Sequence, residues 1–163
     1  MTLDGRIAKN SGQNADWTTK ADKKTFIAET KKHGVIIMGD TTFNTIGRPL
    51  PGRLNFILSF QPEKYADKIK PNELEFFKGE PAEIINHLAA RGYESAILGG
   101  GARTNAAFLK AGLVDEILIT IEPKLFGVGL NFTEGEDLNY DLELIESKEI
   151  GDHAVQLRYK ILK

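Results

Sequence analysis

Apolar residues fall along this chain in short runs separated by glycine, proline and charge, and their spacing predicts alternating strands and helices. Val35–Met38 and Leu54–Ser59 are apolar-rich runs of the kind buried on both faces of a sheet. Leu74–Phe77, Ala96–Leu98 and Glu116–Glu122, the last closed by Pro123, predict three more strands. Amphipathic stretches lie between them. Asp22–Lys32 carries Phe26, Ile27 and Thr30 on one side and charges on the other. A helix begins at Pro81, turns Ile84, Ile85 and Leu88 inward and ends before Gly92, and another runs through Ala106, Ala107 and Leu109 to stop near Gly112. At the end, Leu142–Glu149 and Ala154–Leu162 flank Gly151 and Asp152. Val155, Leu157, Tyr159 and Ile161 alternate with polar residues there, which predicts a hairpin with one buried face. The whole pattern predicts an α/β fold, a mainly parallel central sheet flanked by helices with a C-terminal antiparallel hairpin, in a single domain over residues 1–163.

Composition narrows the function without naming it. The 163 residues are 41% hydrophobic and 27% charged with a formal net charge of −2, so nothing draws the chain toward nucleic acid or an anionic membrane. No apolar run approaches the length of a membrane span and no signal-peptide pattern opens the chain, so the expected location is cytoplasmic. The absence of cysteine excludes disulfide and thiolate chemistry. His33, His87 and His153 are scattered, so no metal site is expected.

Three segments carry candidate chemistry. The first runs from Met38 to Arg53. A strand ends in Gly39, Thr41 and Thr42 open a helix, and after Gly47 a Pro49-Leu50-Pro51-Gly52 turn leads to the next strand. That order is how an α/β sheet presents backbone N–H groups to a phosphate. The second is Gly99-Gly100-Gly101, at a strand end before a helix, read equally as a tight turn or a phosphate cradle. Two such turns in one small domain favour a dinucleotide. Neither is the G-x-G-x-x-G fingerprint, which argues against a standard Rossmann domain. The third is Trp17, Asp22 and Phe26, in which Asp22 and Phe26 share a helix face. Asp22 is read either as a first-turn charge or as a functional acid.

Gly39–Arg53 resembles the dihydrofolate reductase signature G-x-x-T-[FWY]-x-x-I-G-R-P-L-P-G-R, and the Trp17, Asp22, Phe26 spacing matches the same family. The resemblance implies reduction of 7,8-dihydrofolate to tetrahydrofolate with NADPH, NADH being the second choice of cofactor. It makes Asp22 the acid that supports protonation, with Trp17 beside it and Thr120 behind it. Phe26, Ile46, Leu50 and Leu98 would line the substrate channel, and Arg53 would bind the glutamate-tail carboxylate. Ala8, Asn14, Ala15, Gly39, Asp40, Thr41, Thr42, Ser59, Gly99, Gly100, Gly101, Ala102 and Arg103 would surround the cofactor. Gly99 and Gly100 match a pair joined by a cis peptide in that family.

The match departs at Asp40, where many members place a basic residue for the NADPH 2′-phosphate, and at Phe60, which replaces a polar residue used for the same purpose. An acid there repels phosphate, and Arg103 is the cation nearest in sequence to compensate. Two other stretches, Thr2–Ala8 and Gly99–Ala102 with Ala111–Gly129, resemble the C-terminal reductase domain of bifunctional riboflavin-biosynthesis proteins. That domain shares the dihydrofolate reductase fold and reduces a ribosylaminopyrimidine phosphate with NADPH. The chain therefore resembles the dihydrofolate reductase superfamily, with a folate-type centre in a riboflavin-type frame. Both families begin with an apolar strand that is not seen before Met1. The frame implies a homodimer, a small-molecule substrate, and no nucleic-acid or membrane partner. The alternative activity is reduction of 5-amino-6-(5-phosphoribosylamino)uracil. A further alternative is a non-catalytic nucleotide-binding protein.

Overall fold

In the computed structural model, which describes residues 1–163, β2 (Val35–Gly39) and β3 (Leu54–Leu58) form the centre of a four-stranded parallel sheet. Its order is β4-β3-β2-β5, with β4 at Leu74–Phe77 and β5 at Ile97–Leu98. The apolar runs explain the position of these strands. Val35 and Ile37 face one cluster, with Leu54, Phe56, Ile84, Leu88 and Phe108. Ile36 and Met38 face another on the opposite side, with Phe43, Ile57, Leu74 and Phe76. A parallel sheet covered on both faces requires such unbroken runs.

The helices lie where their caps put them. α3 (Pro81–Ala90) starts with proline in its first turn and a reciprocal capping box between Glu80 and Glu83. It buries Ile84 and Leu88 completely or nearly so, each worth about 1.5–3 kcal/mol of apolar transfer. α1 spans Lys20–His33, two residues earlier than the apolar pattern predicts, because the Thr19 side chain caps it by accepting the Asp22 N–H. Its predicted inner face is only partly covered: Thr30 is buried, while Phe26 and Ile27 remain 39% and 46% exposed. α2 (Asp40–Ile46) begins at Asp40 rather than at Thr41, and α4 spans Ala102–Lys110.

The antiparallel part is a sheet of its own. β6 (Glu116–Ile121), β9 (Ala154–Ile161) and β8 (Leu142–Gly151) pair in the order β6-β9-β8. β9 is the middle strand, so the predicted hairpin does not add to the edge of the parallel sheet. On its other side β6 is met only near its end, where Thr2 bridges Glu122 in parallel. α1 spans the seam, touching β2 and β5 of one sheet and β8 of the other, and its Glu29 pairs with Arg158 of β9 at 3.4 Å. A third, two-stranded sheet joins β1 (Arg6–Ala8) to β7 (Leu130–Asn131). The hydrophobic pattern misses both strands, since three and two residues carry no readable period. No helix is long and apolar enough to cross a membrane.

Candidate active site

The carboxyl ends of β2 and β5 meet in a glycine cradle. The Gly99 N–H donates to the Ile37 carbonyl at 2.7 Å and the Gly39 N–H to the Gly100 carbonyl at 2.9 Å. These bonds hold the two strand ends side by side. The cis peptide lies between Gly100 and Gly101, one residue later than the expected Gly99–Gly100 bond. Gly99 still belongs to the strand ladder through its bond to Ile37, and the turn starts after it.

Side chains are excluded from this cradle. A Cβ on Gly39 would stand 3.0 Å from the Thr104 hydroxyl, one on Gly101 3.1 Å from the Thr42 hydroxyl, and one on Gly99 2.7 Å from Ile36. The backbone is therefore bare where two threonine hydroxyls converge. α4 starts at Ala102 directly after it, so its first-turn N–H groups lack helical acceptors. Asn105 anchors the turn from below, its N–H on the Gly101 carbonyl at 2.9 Å and its amide on the Phe132 carbonyl at 2.9 Å. Arg103 is exposed in the first turn of α4 and Thr41 in that of α2. Bare glycine backbone, two hydroxyls and a nearby guanidinium fit the diphosphate of a dinucleotide.

Beside β3, the Ser59 hydroxyl donates to the Asp40 carboxylate at 2.7 Å and accepts the Gln61 N–H at 3.2 Å. Opposite, Thr45 of α2 donates to the Ser11 carbonyl at 3.1 Å. That bond ties α2 to the loop between Ala8, buried at the end of β1, and Asn14 and Ala15, which are exposed. Asn14 caps the short turn through Trp17.

Asp22 stands in the first turn of α1, in an acidic corner at the end of β6. The Thr19 hydroxyl donates to Oε1 of Glu122 at 3.1 Å, and the Thr19 N–H reaches the same oxygen at 3.0 Å. Glu122 is 0% exposed and its Oε2 has no partner. The Met1 ammonium donates to the Thr120 carbonyl at 2.6 Å; burial lowers its pKa, opposed by the charges of Asp22 and Glu122. No hydrogen bond joins the Asp22 carboxylate to Trp17 or to the Thr120 hydroxyl. The Trp17 ring packs edge-on against Phe126 at 4.9 Å, with its buried Nε1 unpartnered. The Thr120 hydroxyl accepts from Gln156 at 3.4 Å. The Met1 ammonium links Asp22 and Thr120, bonded to the Thr120 carbonyl and within the field of Asp22.

Arg53 differs most from its expected role. It is 6% exposed, and its Nε and Nη2 donate to the Pro51 carbonyl at 3.3 and 3.0 Å while Nη1 donates to the Thr30 hydroxyl. Burial lowers its pKa. Three of the five N–H donors of the fork close the proline turn onto α1. Asn55, 0% exposed, holds the same turn through both the N–H and the carbonyl of Leu50. Ile46 is 36% exposed, Leu50 packs at the margin of the Phe43 cluster, and Leu98 ends β5 at the margin of the Phe56 cluster. No three His, Asp or Glu side chains are placed to hold a metal ion.

The site thus has a bare glycine cradle at the ends of β2 and β5 and two carboxylates, Asp22 and Glu122, near the end of β6. A family model of the RibD C-terminal domain matches residues 56–156, well over half of the chain. The chain belongs to that family. Solved RibD-type proteins share its fold. A bifunctional diaminohydroxyphosphoribosylaminopyrimidine deaminase/5-amino-6-(5-phosphoribosylamino)uracil reductase from Thermotoga maritima matches 99% of this chain and 54% of its own, at TM-score 0.80 and 17% identity. This RibD-type domain spans about half the length of that protein. A dihydrofolate reductase from Enterococcus faecalis, complexed with NADP(H) and RAB-propyl, covers 100% of this chain and 93% of its own at TM-score 0.70 and 18% identity. The dihydrofolate reductase fold in a riboflavin-type frame is therefore present. In sequence, dihydrofolate reductase type 3 of Salmonella typhimurium is 43% identical, but over 54 residues, 33% of each chain.

Sequence reasoning missed Thr19, Glu122, Asn105 and Gln156. Thr19 left a usable signal, a hydroxyl residue three positions before Asp22 at a helix start. Glu122 left none, because nothing in the chain separates a buried glutamate from an exposed one.

Proposed function

We propose that this protein is a nicotinamide-dependent reductase of an aminopyrimidine carrying a ribosyl phosphate side chain, the RibD-type reaction, in preference to a reductase of dihydrofolate. One observation carries the reading: the RibD-domain match runs from β3 to β9 and so includes both the Gly99–Gly101 cradle and the Thr120 corner. The folate likeness in sequence is confined to a third of the chain, and three of the five Arg53 N–H donors are already committed to Pro51 and Thr30.

When bound, the nicotinamide supplies a hydride. Reduction of a polarised C=N or C=O bond would also need a proton at the heteroatom, which the chain must deliver. The chain's own residues do the rest. Gly39, Gly99, Gly100 and Gly101 with Thr42 and Thr104 seat the diphosphate, and Ala102 and Arg103 lie at the helix start beside it. Ala8, Asn14 and Ala15 flank the nicotinamide end. Asp22, positioned through Thr19 by Glu122, would relay the proton to the heteroatom. Trp17 and Phe126 exclude water from one side, and Phe26, Ile46, Leu50 and Leu98 supply apolar surface for a flat ring.

The test is oxidation of NADH or NADPH, followed by absorbance, with 5-amino-6-(5-phosphoribosylamino)uracil and with dihydrofolate as alternative substrates. Turnover of the pyrimidine at least tenfold faster than of dihydrofolate is expected, with Asp22→Asn reducing it by about 10²-fold or more. Faster turnover of dihydrofolate restores the folate reading. Turnover of neither substrate overturns both.

A further inference from the structure

The dinucleotide that suits this cradle differs at its adenosine end from the one the resemblance implies. We propose that the site selects NADH over NADPH, with Asp40 as the residue that sets the choice; the proposal rests on the nicotinamide-dependent reading above.

The direction of the cofactor follows from α1, which carries Asp22 and touches β2 and β5 of the parallel sheet and β8 of the antiparallel one. The carboxylates Asp22 and Glu122 lie at the β6 side, so the hydride-bearing end points that way. The diphosphate crosses the glycine cradle between the ends of β2 and β5. With β5 at the edge that α1 joins to the antiparallel sheet, and the order β4-β3-β2-β5, the adenosine half then continues over the ends of β2 and β3. Asp40 and Ser59 stand there, as the first residue after β2 and the first after β3.

Their chemistry suits a ribose diol and opposes a phosphate. The Ser59 proton is committed to Asp40 at 2.7 Å and its lone pair to the Gln61 N–H at 3.2 Å, so the hydroxyl has no donor left for a phosphate oxygen. Ser59 is 7% exposed and Asp40 is half-buried, so the carboxylate keeps a face open to a ligand. No ion pair neutralises Asp40. Its carboxylate therefore has acceptor capacity for a 2′-hydroxyl and like charge against a 2′-phosphate. Dinucleotide sites use that distinction, an acid for the diol and an arginine for the phosphate. Phe60, 89% exposed, adds no donor. Arg103 sits on α4 beyond β5, on the diphosphate side of the cradle, and Lys78 follows β4, one strand further out than Ser59.

Equilibrium binding tests this without turnover. Calorimetric titrations of NADH, NADPH, ADP-ribose and 2′-phospho-ADP-ribose are compared on the wild type, Asp40→Asn and Asp40→Arg. Thermal unfolding confirms that each variant is folded. The wild type is expected to bind NADH and ADP-ribose at least tenfold more tightly than their 2′-phosphorylated forms. Asp40→Asn brings that ratio toward one, and Asp40→Arg reverses it. The Asn variant alone decides the matter where the Arg variant does not fold. Equal or tighter wild-type binding of NADPH overturns the selectivity while leaving the reductase reading intact. A ratio unmoved by Asp40→Asn overturns the role of Asp40. Binding of neither dinucleotide overturns the cofactor site itself, and the proposal with it.

Discussion

The hydroxyl of Thr19 donates to the fully buried carboxylate of Glu122 at 3.1 Å, and the same hydroxyl accepts the Asp22 N–H at 3.2 Å. One side chain thereby starts α1, fixes the height of Asp22 and supplies a donor to a charge that has lost water. The start of a helix near the N-terminus is locked to the end of a strand far along the chain.

Thr19→Val removes the cap and one of two donors to Oε1 while preserving shape. The expected loss is about 1–2 kcal/mol, from the cap and from the poorer satisfaction of a buried acceptor. Urea unfolding measures it, and Thr19→Ser should recover most of the difference. A loss in the Ser variant with none in the Val variant would show that methyl packing, not the hydroxyl, matters.

Arg53 provides a second test. If its fork closes the Pro51 turn onto Thr30, Arg53→Ala costs about 1–3 kcal/mol of stability and leaves the KM of the reductase substrate nearly unchanged in the folded fraction. A raised KM at wild-type stability would instead restore a role at the substrate. Arg53→Lys should behave like the alanine variant, since an ammonium cannot reproduce the planar fork.

Asp4 makes stability depend on pH in a defined window. Its carboxylate accepts from the Thr2 hydroxyl at 2.6 Å and from the N–H groups of Phe126 and Gly127 at 3.2 and 2.6 Å. The Thr2 bond foremost lowers its pKa from 3.8 to about 2. A carboxylate depressed on folding stabilises the protein above its unfolded pKa, and the effect fades as pH falls through the folded value. Melting temperatures of wild type and Asp4→Asn should therefore differ at pH 6 and converge as pH falls from about 4 to about 2. A constant gap across that range would mean that shape, not charge, holds the Phe126 turn.

How far each feature could be read from the chain follows from the range of the forces behind it. β2, β3 and α3 are legible because their signals are local: unbroken apolar runs, a proline in the first turn, a glycine past the end. Gly39 and Gly99–Gly101 are legible as places where backbone is bared. The two-stranded β1–β7 sheet is not, because its short strands exist only through pairing between residues more than a hundred positions apart.

The sequence by itself determined the alternation of strands and helices, the two glycine-marked strand ends and the presence of an acid in the first turn of α1, since these depend on neighbours within a few residues. Only the tertiary structure decided that Arg53 turns inward, that Glu122 is buried beneath Thr19, that β9 lies between β6 and β8, and that Asp40 is bonded to Ser59. Burial and hydrogen-bond partnership depend on which distant segments fold together, and no local pattern in the chain encodes them.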